Sequence, residues 1–494
     1  MHNRMSFRFL PLLAFFAVPA TAQPPDTHPP GVQQLIVYPT TETLPRNTTF
    51  TVKARNPGGP WKAIPVYQVT VADCRIGASK PEQSAMAYFD FTGQIEIAIE
   101  IPARKFTTAR IRPFSYNIHP TLDHHTIHFT LDRPRNLSIE LDSDIFHNLQ
   151  LFAGAPETPE NPSAPDTNTI YYGPGLHQVG TVHLTSNEQV YLAGGAVVEG
   201  QFLIEHAENV HISGRGILLQ RSSPHRTGRR DALLINFSKN ISIEGLIVLP
   251  NTYTVLIGSS QHVLISNLKS FSAGGNNDGI DVFCSRDVLI DNVFMRNSDD
   301  CIAIYGHRWN YYGNTRNITV RHSTLWADVA HPILVGTHGD PAQPDTLEVL
   351  RFEDIDILDQ QEHQLDYQGC MSLDAGDSNL IRNVQFDDIR VEDFRQGQLV
   401  NLRIMYNKKY NTAPGKGIGD ILFNNIRYTG THASLSIIAG YDDAHPIRNI
   451  TFRNLHINGI LISDLMPGKP AWYKTSDMAG FFVGEHVEDL KFEK

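Results

Sequence analysis

A chain of 494 residues exceeds the usual size of one compact domain, a limit escaped by architectures that grow along one axis. Hydrophobic residues at 41% and charged residues at 19% describe a folded chain, and 36 Gly with 30 Pro suit a turn-rich β protein better than a helical one. The formal net charge of −11 argues against nucleic acid or an anionic membrane surface as partner, and a polyanionic substrate would need a local basic patch.

The chain opens with Arg4 and Arg8, an apolar run from Phe9 to Val18, and Ala20-Thr21-Ala22 before Gln23. This pattern predicts a secretory signal over residues 1–22. The run is too short to span a bilayer and no later stretch is long enough, so no membrane insertion is expected. The mature protein should begin near Gln23 and be secreted or periplasmic. Four cysteines (Cys74, Cys284, Cys301 and Cys370) are too few for a disulfide scaffold, and their spacing suggests no zinc site.

Period-two alternation marks strands at Gln33 to Val37, Thr49 to Val52, Val66 to Val71, Ile95 to Ile101, Ile127 to Leu131 and Leu137 to Leu141. These predict a β-sandwich over residues 31–154, acting as a carbohydrate-binding unit or as a cap on the open end of the second domain. Residues 155–167 carry four prolines and read as a linker. From residue 168 to about 480 a weak repeat takes over. A polar residue followed by an alternating apolar pair recurs at Asn209-Val210-His211-Ile212, Asn240-Ile241-Ser242-Ile243 and His262-Val263-Leu264-Ile265. It continues at Asp287, Asn317, Asn383, Asp420 and Asn449. Intervals of 22 and 25 residues fit one coil of a β-solenoid, with Asn side chains bonding along the stack.

Within the repeat, Asn276 to His307 places Asp278 and Asp281 ahead of the pair Asp299-Asp300. The 21 residues from Asp278 to Asp299 suggest that these two stack on successive rungs about 4.7–4.9 Å apart. Carboxylates that close resist ionising together, which supplies one acid and one base, as glycoside hydrolysis requires.

The motif NNDGID followed by DDCIAI resembles the polygalacturonases of glycoside hydrolase family 28. It is also similar to the dextranases and isopullulanases of family 49. The resemblance implies a right-handed parallel β-helix of the pectate-lyase type and an inverting hydrolase. Asp299 would be the general acid, with Asp278 and Asp300 activating water. The family's Gly-His-Gly motif corresponds to Ala330-His331-Pro332, which makes His331 a substrate-binding candidate, with His307 as competitor. Trp309 could stack on a sugar, and Asp281 and Asp374 complete the candidate substrate-binding set. In the polygalacturonases the cysteine after Asp-Asp often pairs with one just before the catalytic histidine. No cysteine lies near His331, so Cys301 is expected to be a buried thiol.

Where the polygalacturonases carry Arg-Ile-Lys, the segment Gly369 to Asp377 offers Asp374 and Asp377. These acids would repel a uronate, which favours a neutral sugar, although Arg308, Arg403 and Lys408 could supply cations. The expected partner is a polysaccharide or oligosaccharide, with no cofactor and no metal. The alternatives are a polysaccharide lyase on the same fold and a non-catalytic carbohydrate-binding solenoid.

Overall fold

The computed structural model describes residues 33–75, 79–157, 168–221 and 231–494. The signal segment and most of the proline-rich linker lie outside them. A single sheet path of 29 strands runs from Thr169–Tyr172 to Val487–Glu493, each strand pairing in parallel with the equivalent strand one coil away. The exception is a short antiparallel pair, Leu455–Ile457 with Ile460–Ile462. This is the right-handed β-helix expected, and its parallel stacking continues to Glu493.

Why the polar residue leads each repeat is now visible. Asn209, Asn240, His262, Asp287, Asn317, Asp420 and Asn449 all have φ between 55° and 59°, a left-handed bend that turns each coil. Asn and Asp tolerate that conformation better than other non-glycine residues. Their side chains also bond along the stack, Asn240 Nδ2 to Asn209 Oδ1 at 3.0 Å and Asn209 Nδ2 to Asn187 Oδ1 at 3.0 Å. The apolar pair after each bend points inward. Towards the C-terminal coils, Phe352, Phe386, Phe423, Phe452 and Phe492 stack at centroid separations of 4.5 to 5.3 Å.

The N-terminal region forms a six-stranded and a five-stranded sheet that face each other across an apolar core. Its longest strand, Lys80–Thr92, escaped the alternation test because both of its faces are covered. One face packs inside the sandwich; on the other, Met86 and Tyr88 join Phe152 against Val197, Ile217, Ile247, Phe271 and Phe294 of the solenoid. The sandwich therefore lies along the flank of the solenoid, contrary to an end cap. Three buried arginines fasten it: Arg215 to Asp90 at 2.9 Å, Arg112, itself braced by Glu140 within the sandwich, to Glu392 at 2.5 Å, and Arg296 to Asn148 at 3.1 Å.

Candidate active site

The strand Ile280–Phe283 pairs with Ile302–Tyr305, Ile280 opposite Ile302. That register makes the local coil 22 residues and sets Asp278 level with Asp300, one position away from the expected match with Asp299. The next coil pairs Ile302 with Ile333, so His331 is level with Asp300 in turn. Asp299 sits one residue back, in the bend. Glycine is required at position 279, because a Cβ there would overlap the Cys301 carbonyl oxygen. Beneath the cluster, the Asn297 amide donates to Ser270 Oγ and Ser272 Oγ, each at 3.2 Å. The Ser272 hydroxyl in turn donates to the Asn277 carbonyl at 3.0 Å, tying down the loop that presents Asp278.

One oxygen from each of Asp278, Asp299 and Asp300 lies within 4.8 Å of the others. This nearest-oxygen spacing is shorter than the 6.5–9.5 Å carboxyl separation typical of inverting pairs. Asp278 and Asp300 are buried, while Asp299 is half-buried and so reachable. Burial, then the Asp300 charge, pushes the Asp299 carboxyl up to about 7. Burial, followed by the charges of Asp281, Asp299 and Asp300, holds Asp278 well above the usual carboxylate range, with Arg308 pulling the other way. Carboxylates this close titrate as a unit, and this one retains a proton near neutrality. Three such oxygens are also a donor set that a hard divalent cation accepts.

His331 is fully buried. Its Nδ1 lies 2.7 Å from Asp300 Oδ1, its backbone N–H donates to the same oxygen at 3.0 Å, and its Nε2 lies 2.5 Å from the Tyr367 carbonyl. Both ring nitrogens face acceptors, which suits the imidazolium. Burial alone would lower its pKa, but the Asp300 charge and hydrogen bond outweigh that and raise it to about 9. Tyr305 also donates to Asp300, at 3.3 Å. The sequence gives no sign of Tyr305 or Asn297 beyond their places flanking the Asp-Asp pair.

The remaining candidates separate. His307 is built into a hairpin: its backbone N–H donates to Asp345 Oδ2 at 2.6 Å and its Nδ1 lies 2.7 Å from the Tyr311 carbonyl. His331 is thus the histidine brought to the carboxylates. Trp309 is exposed at the hairpin's tip, tilted on Phe283 at 5.2 Å with the Arg308 guanidinium 4.5 Å over its ring. Asp281 is buried beside Asp278. Asp374 is buried and accepts from the Ser372 hydroxyl at 2.9 Å; burial pushes its pKa up to about 7, against the charge of His331. Asp377 is consumed by structure, accepting from Thr412 N at 2.6 Å and Ala413 N at 3.0 Å. Arg403 stands level with Asp374 on the following coil. All four cysteines are free, and Cys301 is a buried thiol as expected.

Residues 186–465 match the model of the glycosyl hydrolases family 28. The chain belongs to that family. Among relatives of this family 28 chain, a probable polygalacturonase of Arabidopsis thaliana is 25% identical over 242 residues, 48% of this chain and 51% of its own length. A polygalacturonase of Chamaecyparis obtusa is 23% identical over 309 residues, 61% of this chain and 54% of its own. A probable endo-xylogalacturonan hydrolase A of Aspergillus fumigatus is 25% identical over 211 residues, 40% of this chain and 46% of its own. The chain thus spans about half the length of the curated relatives it matches. Dex49A from Penicillium minioluteum shares the fold, with a TM-score of 0.56 at 13% identity over 94% of this chain and 99% of that one.

Proposed function

We propose that this family 28 chain is an exported glycoside hydrolase that cleaves a galacturonan-type polysaccharide with inversion. The observation that carries the reading is a reachable carboxyl raised to about 7, Asp299, beside two buried carboxyls whose oxygens lie within 4.8 Å. Asp299 is the member a glycosidic oxygen can approach, so it donates the proton as the bond breaks. Asp278 and Asp300 flank the attacking water on the other side of the sugar. Asp300, paired with His331, takes its proton, while Asp278, whose carboxyl is raised, positions that water. His331 and Tyr305 hold Asp300 in place, and the imidazolium offsets the crowded negative charge. Export follows from the signal pattern of residues 1–22, and the two N-terminal sheets, between Gln34 and Gly154, serve as a rigid flank to the catalytic solenoid.

The expectation of a neutral sugar loses its premise. Asp374 is buried and its carboxyl raised towards neutrality, while Asp377 caps its own loop. Arg308 and Arg403 border the same face, and the names of the relatives support a galacturonan backbone. The test is reducing-end release from polygalacturonate and from dextran: polygalacturonate should be cleaved and dextran spared, and the reverse would overturn the substrate reading. One observation favours a lyase as second reading, namely a carboxylate trio fit for a hard cation with Arg308 close by. Lyase action would leave an unsaturated uronate with a new ultraviolet chromophore and would stop on chelation.

A further inference from the structure

We propose a second binding site for anionic polysaccharide, in a groove along the solenoid edge that the hairpin carrying Trp309 separates from the carboxylates. It rests on the uronate reading of the substrate. The groove is a cavity of about 780 Å³ beside the bends that follow the strands Leu233–Asn236, Val255–Gly258 and Ile280–Phe283.

Three cations line it: Lys239, Arg286 and Arg316. They share one column of the stack, since Lys239 is level with Gln261, Gln261 with Arg286, and Arg286 with Arg316. Neighbouring rungs stand about 4.8 Å apart. Further along the same column charges are matched, Arg382 to Glu348 at 2.7 Å and Arg448 to Glu488 at 2.8 Å. Among the described residues, none of the three groove cations makes an ion pair; Arg286 instead donates to the neutral Gln261 Oε1 at 2.8 Å. Among the described lining residues the one acid is Glu208, level with Lys239. Glu348 stands level with Arg316 on the next rung but is engaged by Arg382, so cations outnumber free acids in the groove. A polyuronate carries a carboxylate on every sugar, and a row of unmatched cations on a wall of fixed strands complements that repeat. On a chain of net charge −11, such a patch supplies the local attraction that a polyanion needs.

An aromatic platform completes the groove. Phe237 is 39% exposed, held outward by a left-handed backbone (φ 48°), with its ring stacked on His206 at 5.2 Å and 8°. Apolar sugar faces stack on such surfaces. The partition from the active site is equally well defined. Tyr311 of the hairpin packs against Phe237 at 5.8 Å and Phe283 at 5.6 Å, and its hydroxyl donates to Asn236 Oδ1 at 2.6 Å. Polymer held in the groove is kept next to the carboxylates without occupying them.

The experiment compares the full-length protein with its Lys239→Gln/Arg286→Gln/Arg316→Gln variant, using polygalacturonate, trigalacturonate and neutral dextran as probes. Binding is measured with Asp299→Asn added to both, so that no probe is consumed. The groove variant should bind polygalacturonate at least about tenfold more weakly and lose most of the salt dependence of binding. In the active background its KM for polygalacturonate should rise with kcat unchanged, while trigalacturonate turnover stays the same. Equal polymer affinity in the parent and the groove variant, or no polygalacturonate binding by the parent, overturns the site. Groove-dependent binding without any cleavage by the active parent would keep the site and sink the proposed substrate.

Discussion

At the scale of single residues, catalysis turns on which proton sits where. Asp299→Asn removes the only acid of the trio that is not buried and should lower kcat by about 10²–10⁴-fold, while the melting temperature holds or rises because a crowded charge is gone. With Asp299 raised to about 7, activity should fall as pH climbs through that value and the acid loses its proton. His331 gives a separate stability prediction. Its folded-state pKa of about 9 lies above the ordinary 6.5, so its contribution is fully present below 6.5 and disappears as pH rises to about 9. That difference corresponds to about 3 kcal/mol, and thermal denaturation across this range should show the drop in the parent and a smaller one in His331→Gln. A pH-independent melting temperature would contradict the ion pair with Asp300. The acidic residues were legible in the sequence because unusual side chains recur at a coil's spacing. Tyr305 and Asn297 were not, because nothing in their identity says which way they point.

At the scale of the strand and its bends, periodicity was the most informative signal. Alternation marks strands with one wet face, and it picked out Val66–Asp73, Ile95–Glu100 and Thr126–Leu131. It passed over Lys80–Thr92 because a strand covered on both sides has no polar face to alternate with. The repeat's leading Asn and Asp were legible as bend residues for a reason now explicit in their positive φ. Register was the part that spacing misjudged by one: whether a coil is 21 or 22 residues depends on how many residues the bend absorbs, and only the ladder partners decide it. Gly279 lies on that seam. Gly279→Ala should force the strand away from Cys301, costing several kcal/mol of stability and most of the activity. Normal turnover in that variant would show the register around Asp278 to be softer than described.

At the scale of the molecule, sandwich and solenoid behave as one body because charged groups are buried between them. Arg296 has no exposed surface and meets Asp328 at 2.9 Å and the Ile145 carbonyl at 2.8 Å. Arg296→Ala removes one of the two arginine partners of Asp328, leaving Arg395 at 3.0 Å, and cuts the bonds to Asn148 and the Ile145 carbonyl. It should cost about 2–3 kcal/mol, lowering one shared melting transition. Two separate transitions in the parent would contradict a joint unit. The flank position of the sandwich could not be read from the sequence, since apolar residues on a sheet's second face do not name what they meet. The central claim, that three carboxyls on adjacent coils hydrolyse a galacturonan by direct attack of water, is tested most directly by following polygalacturonate digestion by proton NMR from the first minutes. New reducing ends should appear first as the β-anomer and then mutarotate, with no signal from Asp299→Asn. First appearance of the α-anomer, or of an unsaturated sugar, would contradict it.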